Sequence, residues 1–142
     1  MNVSIPSRRV TIADLSDIVR ARGTARSLAT DIGFGIADQT RLATAVSELT
    51  RNVVQYAGCG SCEIVDTSAA GEMSIRIVVE DRGPGIPDLA LAMKDGYSTG
   101  GSLGAGLPGT RRLMDSFAIE SVPGLTRITI GLARRRLHQE RR

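Results

Sequence analysis

Residues 95–115 read DGYSTGGSLGAGLPGTRRLMD, and inside them Gly104-Ala105-Gly106-Leu107-Pro108-Gly109 matches the G-x-G-x-x-G pattern of a dinucleotide-binding turn. That pattern needs a hydrophobic strand directly before its first glycine, so that the pyrophosphate meets a strand–turn–helix unit. Here residues 98–103 are STGGSL, a polar loop, and the dinucleotide reading fails. A Walker A loop fails as well, because the only lysine is Lys94 and no G-x-x-x-x-G-K-[ST] occurs. Gly96, Gly100, Gly101, Gly104, Gly106 and Gly109 nevertheless crowd a segment that holds Ser98, Thr99 and Ser102 and runs into a helix. Successive backbone N–H groups followed by a helix N-terminus make a natural phosphate cradle.

Upstream, two further stretches carry chemistry. One helix carries SELTRNVVQYAG, and Leu42, Ala45, Val46, Leu49 and Val53 form its apolar stripe. At about 100° per residue, Glu48 and Asn52 stand one turn apart on a flank of that stripe, while Arg51 points away from the core. A carboxylate and a carboxamide so placed could hold a hydroxyl or water and an oxygen-ligated cation; ordinary surface polarity explains them equally well. The second stretch, Glu80-Asp81-Arg82-Gly83-Pro84-Gly85-Ile86-Pro87, follows an apolar strand. An ionised carboxylate at a strand end can only accept hydrogen bonds, so Asp81 suits a ligand amino group. Gly83 and Gly85 would let a flat ring approach the backbone, although a tight turn accounts for the glycines too.

The pattern along the chain predicts β-α-α-β-β-loop-α-β-β. An edge strand covers 3–10, and a helix opens at Asp14 with Leu15, Ile18, Val19, Leu28, Ala29 and Ile32 in step and Gly33 as its stop. A second helix, with Asp38 as cap candidate, runs to about Ala57. Strands follow at 62–66 and 74–80 around a turn at 69–71, then a Gly- and Pro-rich stretch with a helical turn at 89–93. A third helix over 107–117, with Pro108 in its first turn, precedes strands at 118–122 and 126–133 around Pro123-Gly124. This is an α+β fold: a two-layer sandwich of a mixed or antiparallel sheet with helices on one face.

The bulk properties fit one domain over 1–133 and an Arg-rich tail over 134–142. The 142 residues are 42% hydrophobic and 23% charged, ordinary for a globular chain. No apolar run approaches the ~18 residues of a membrane span, and the N-terminus lacks a signal pattern, so no membrane is expected as partner and a cytoplasmic location is. The net charge of +3 comes from RRRLHQERR at 134–142, read as a solvated terminus; without it, basic and acidic residues nearly balance. Phe34, Tyr56 and Tyr97 are too scattered to stack on bases, which excludes nucleic acid as a partner class. Cys59 and Cys62 form a lone C-x-x-C with no second pair and only His138 elsewhere, so two reduced structural thiols are expected rather than zinc.

The ordered set E-x-x-x-N on a helix, D-x-G-x-G after a strand, and a Gly-rich lid ending in G-x-G-L before a helix resembles the GHKL (Bergerat) ATP-binding fold. That family includes gyrase, Hsp90, histidine kinases and the small serine kinases of bacterial sigma-factor regulation. The runs SELTRNVVQYAG, EDRGPGIPD and DGYSTGGSLGAGLPGTRRLMD most resemble the small switch kinases of the RsbT type, related to anti-sigma factors of the RsbW and SpoIIAB types. A histidine kinase would need a phosphoacceptor histidine on a dimerising helix, and the one histidine is His138.

The resemblance implies an ATP- and Mg²⁺-dependent protein serine/threonine kinase acting in a stress-response module. Its substrates would be STAS-domain antagonist or scaffold proteins, and it would also bind and activate a protein serine phosphatase. The alternative is an anti-sigma factor that sequesters a sigma factor and phosphorylates its antagonist. Asn52 would bind Mg²⁺, Glu48 would act as base towards the substrate serine, and Asp81 would accept the adenine amino group, with Gly83, Gly85 and Ile86 lining the base. Gly96, Ser98, Gly101, Gly104, Gly106 and Leu107 would wrap the phosphates, Gly109 would pack a helix, and Thr126 would stand near the adenine. The family usually has Gly directly before that threonine; here Leu125 follows Gly124.

Overall fold

The computed structural model describes residues 7–86, 93 and 106–136. Five strands, β1 (Ser7–Ile12), β2 (Gly60–Asp66), β3 (Glu72–Asp81), β4 (Ser116–Val122) and β5 (Leu125–Arg135), pair antiparallel in the order β1-β2-β3-β5-β4. Period-2 alternation puts Ile75, Ile77 and Val79 of β3, and Ile128, Ile130 and Leu132 of β5, on one buried face. The opposite face carries Arg76, Val78, Glu80, Arg127 and Thr129 in an open polar groove. Helices α1 (Leu15–Ile32), α2 (Ile36–Asn52) and α3 (Gly106–Leu113) cover the apolar face, giving the expected α+β sandwich with an antiparallel sheet.

Local signals explain the clean boundaries. The Asp14 carboxylate accepts from Asp17 N–H at 3.1 Å, and the Asp17 carboxylate accepts from Asp14 N–H at 3.3 Å, a capping box that starts α1. Gly33 closes it in the left-handed region. The α2 stripe is buried as its spacing predicts, with Leu42, Ala45, Val46, Leu49 and Val53 at most 1% exposed. In α1 the core face is instead Ile18, Ala21, Ala25, Leu28, Ala29 and Ile32. Val19, about 100° round from Ile18, is 56% exposed, and Leu15 at the first position is 70% exposed.

β1 runs on to Ile12, β2 starts at Gly60, β3 spans Glu72–Asp81 and β4 starts at Ser116, while residues 3–6 of the expected edge strand lie outside the described residues. Three further expected boundaries move because of distant partners. Gly35, not Asp38, stands at the N-cap of α2; Asp38 lies in the first turn and bonds Arg41 and Arg134. α3 stops at Leu113 rather than at 117, because Asp115 N–H donates to Gly131 O at 3.0 Å and the chain joins the sheet, with Phe117 opposite Ile130. β5 continues past 133 to Arg135, so the start of the basic segment is strand and not solvated tail. Arg134 drives this: its fork bonds both Asp38 oxygens at 3.0 and 2.9 Å, and its remaining Nη1 reaches Asp115 at 2.6 Å. Arg136 N–H donates to Gly71 O at 2.9 Å. The helical turn expected at 89–93 and the tail beyond 136 lie outside the described residues.

Arg134→Met should cost about 1–2 kcal/mol, since it leaves Asp38 with one exposed partner, and lower Tm by about 5 °C. Thermal unfolding at low salt and at 0.5 M salt checks this; the gap should shrink in salt by about half.

Candidate functional site

The E-x-x-x-N motif lies where α2 changes pitch. Asn52 is its last α-helical residue, and Val53–Ala57 form a π-helical turn closed by Gly58 N–H donating to Val53 O at 2.9 Å. Such turns widen a helix by one residue, and this one pushes its end against the sheet. Glu48 is mostly buried and pairs with Arg51 Nη1 at 2.8 Å. The Asn52 carboxamide is half-buried and bonds no other side chain among the described residues. Its oxygen is the kind of hard donor that Mg²⁺ accepts.

The π turn abuts the D-x-G-x-G motif through two glycines. A Cβ on Gly83 would lie 2.6 Å from Ala57 Cβ, and one on Gly60 would lie 2.9 Å from Val53 Cγ1. Gly85, at φ 85°, would bring a Cβ to 2.7 Å from Val122 O. Only glycine permits that conformation together with that approach. Gly83 O in turn accepts from Gly124 N–H at 2.9 Å, so the β4–β5 turn clasps the loop after β3.

The strand registers then align one row across the sheet. Gly60 of β2 stands opposite Asp81 of β3, Asp81 opposite Thr126 of β5, and Thr126 opposite Ser121 of β4. Directly opposed residues point to the same side, so Asp81, Thr126 and Ser121 face the helix layer beyond its apolar rows. Asp81 Oδ1 accepts from Gly83 N–H at 2.9 Å, leaving Oδ2 without a hydrogen bond among the described residues. Burial pushes the Asp81 carboxyl above its usual value, with the nearby Glu80 charge adding to it, while the Gly83 N–H works the other way. Ser121 Oγ accepts from Ile86 N–H at 2.7 Å and lies 2.7 Å from Thr126 Oγ1.

The structure sets Glu48 and Asn52 one turn apart on α2 and gathers Asp81, Gly83, Gly85, Ile86 and Thr126 where β3 ends and β5 begins. Thr126 takes its place opposite Asp81 despite the Leu125 that precedes it. Gly106, at φ 64°, opens α3, and Leu107 and Gly109 are buried as α3 packs on α2. Gly96, Ser98, Gly101 and Gly104 lie outside the described residues. Three participants were not singled out from the sequence: Ser121, Gly60 and the Arg51 pairing. Arg51 was legible as an i,i+3 partner of Glu48, whereas nothing short of strand register points to Ser121. Cys59 is exposed and Cys62 buried, both as free thiols, and burial pushes Cys62 up to about 12.

Comparison with known proteins identifies the family of this fold. The chain belongs to the histidine kinase-like ATPase domain family, whose model matches residues 11–132. It is 52% identical over 108 residues to the serine/threonine-protein kinase RsbT of Bacillus subtilis strain 168, a match covering 76% of this chain and 81% of that protein. At that identity the chain is a serine/threonine-protein kinase built on an ATPase domain. Its fold is similar to the RsbU and RsbW domains of Rv1364c from Mycobacterium tuberculosis, with a TM-score of 0.64 and 20% identity over 91% of this chain. This chain spans about a third (33%) of that one. It is also similar to the Acinetobacter baumannii histidine kinase AdeS, with a TM-score of 0.50 and 15% identity, covering 92% of this chain and 68% of that one. No described helix is long and apolar enough to cross a membrane.

Asp81→Asn should stabilise the free protein at pH 7, because it removes a buried charge while keeping an acceptor for Gly83 N–H. A raised native pKa means that the wild type holds its full stability below the ordinary carboxylate value of 3.8 and loses part as pH rises through the native value. The gain in Tm should therefore vanish below that value and be complete at neutral pH. ATP affinity should fall about tenfold or more. Thermal melts from pH 3 to 7 and calorimetry with ATP check the two halves.

Proposed function

We propose that this kinase binds ATP with Mg²⁺ and transfers the γ-phosphoryl group to a serine of a STAS-domain antagonist or scaffold protein in a cytoplasmic stress-signalling module. The observation that carries the reading is the Asp81 carboxylate at a strand end, whose Oδ2 accepts no hydrogen bond among the described residues. It supports recognition of an adenine amino group, with Gly83, Gly85 and Ile86 along the ring and Thr126 beside it.

Phosphoryl transfer asks for positioning and charge neutralisation more than covalent chemistry. Asn52 would hold Mg²⁺, which neutralises phosphate charge; one protein oxygen is enough where phosphates and water complete the shell. Glu48, one turn before Asn52, orients the incoming hydroxyl and takes its proton, once its pairing with Arg51 opens. Gly106, Leu107 and the α3 N-terminus would meet the phosphates from the far side, together with Gly96, Ser98, Gly101 and Gly104. Identity to the serine/threonine-protein kinase RsbT supports the kinase reading, in which the chain would also bind and activate a protein serine phosphatase. The alternative, sequestering a sigma factor, has only fold likeness behind it.

The test mixes the protein with candidate STAS partners, Mg²⁺ and labelled ATP. Serine phosphorylation is expected with the wild type. Glu48→Gln should slow transfer about 100-fold or more while leaving ATP affinity within about threefold. Transfer to none of the partners, with a stable sigma-factor complex instead, would overturn the assignment.

A further inference from the structure

Ser121 belongs to no motif, yet three contacts converge on it. Its hydroxyl stands opposite Thr126 in the β4–β5 register, 2.7 Å from Thr126 Oγ1, and receives the Ile86 N–H at 2.7 Å. Thr126 is 7% exposed, and Ser121 is the only hydrogen-bond partner of its side chain among the described residues.

A hydroxyl has one proton and two lone pairs. The Ile86 amide can only donate, so one Ser121 lone pair is permanently engaged. That engagement polarises the Ser121 O–H and favours its donation to Thr126 over the reverse direction. If Thr126 donated instead, the half-buried Ser121 proton would have no acceptor among the described residues. The chain therefore runs from Ile86 N–H to Ser121 O–H to Thr126 O–H, and the Thr126 proton is the one that remains to face the site.

We infer that Ser121 is a positioning residue that makes Thr126 a hydrogen-bond donor beside the Asp81 acceptor, so that the pair reads the edge of adenine and rejects that of hypoxanthine or guanine. Adenine offers an amino donor next to a ring-nitrogen acceptor, the complement of Asp81 and a donating Thr126. A 6-oxopurine reverses both: its carbonyl meets the Asp81 carboxylate and its ring N–H meets the Thr126 proton. This inference rests on the adenine site proposed above and adds the residue that sets its polarity.

The test measures binding of ATP, ITP and purine riboside triphosphate, each with Mg²⁺, by calorimetry to the wild type, Ser121→Ala, Ser121→Thr and Asp81→Asn. Purine riboside triphosphate keeps the ring-nitrogen acceptor but lacks the amino group, which isolates Thr126. The wild type should prefer ATP to ITP by about 100-fold. Ser121→Ala should reduce that ratio to about tenfold or less, and Ser121→Thr, which keeps the hydroxyl, should preserve it. Purine riboside triphosphate should lose as much affinity as ATP does in Ser121→Ala, and none in Asp81→Asn. Ratios are taken within each variant, so a partly unfolded fraction cancels. A Ser121→Ala protein with the wild-type ratio, or a Ser121→Thr protein that loses it, overturns the role of Ser121 alone. A wild type that binds ATP and ITP equally overturns the adenine site itself.

Discussion

One row of side chains across the sheet governs the rest of the site: Gly60, Asp81, Thr126 and Ser121, opposed in register from β2 to β4. Opposed residues in an antiparallel sheet share a face, so a shift of one residue in any pairing would turn an element of the row to the far side. The hydrophobic rows immediately behind it prevent that shift. Ile77, Val79, Ile128 and Ile130 are at most 5% exposed, and slipping them would expose the core. The core therefore acts as the ruler that positions the polar groups at its end.

The site tolerates features that the rest of the chain avoids. Asp81 carries a partly buried carboxylate with one oxygen unbonded among the described residues. Gly85 adopts a left-handed conformation against Val122 O, and α2 gives up regular pitch after Asn52. Each departs from the locally preferred arrangement, and such departures concentrate where a fold must bind something. They also share a border: the π turn meets Gly60 and Gly83, and the clasp from Gly124 holds the same loop from the other side. The proposed nucleotide site and the closure of the sheet's end thus share one set of contacts.

Much of this architecture was readable in the residues because it depends on neighbours. Asp14 and Asp17 cap α1 within one turn, and the α2 stripe is a repeat of 3.6, so both follow from local spacing. The readings that moved all depend on distant partners. Asp38 looked like a cap but serves Arg134, 96 residues away. Residues 134–136 looked like a solvated tail but continue β5, because Asp38, Asp115 and Gly71 wait for them. α3 yields its expected last turn to the sheet, where Phe117 gains a partner in Ile130.

The sequence by itself determined the kind of site this is: a carboxylate after a buried strand, a carboxamide one turn beyond a glutamate, and glycines ahead of a helix. These are short-range patterns whose physics lies in side-chain chemistry and helical period. Only the tertiary structure decided which groups stand beside them. Ser121 faces Thr126 and Ile86 because two hairpin registers and one backbone amide meet there, 35 residues apart along the chain. Hydrogen-bond direction is a property of that assembled network, since a hydroxyl has no fixed polarity until its neighbours impose one.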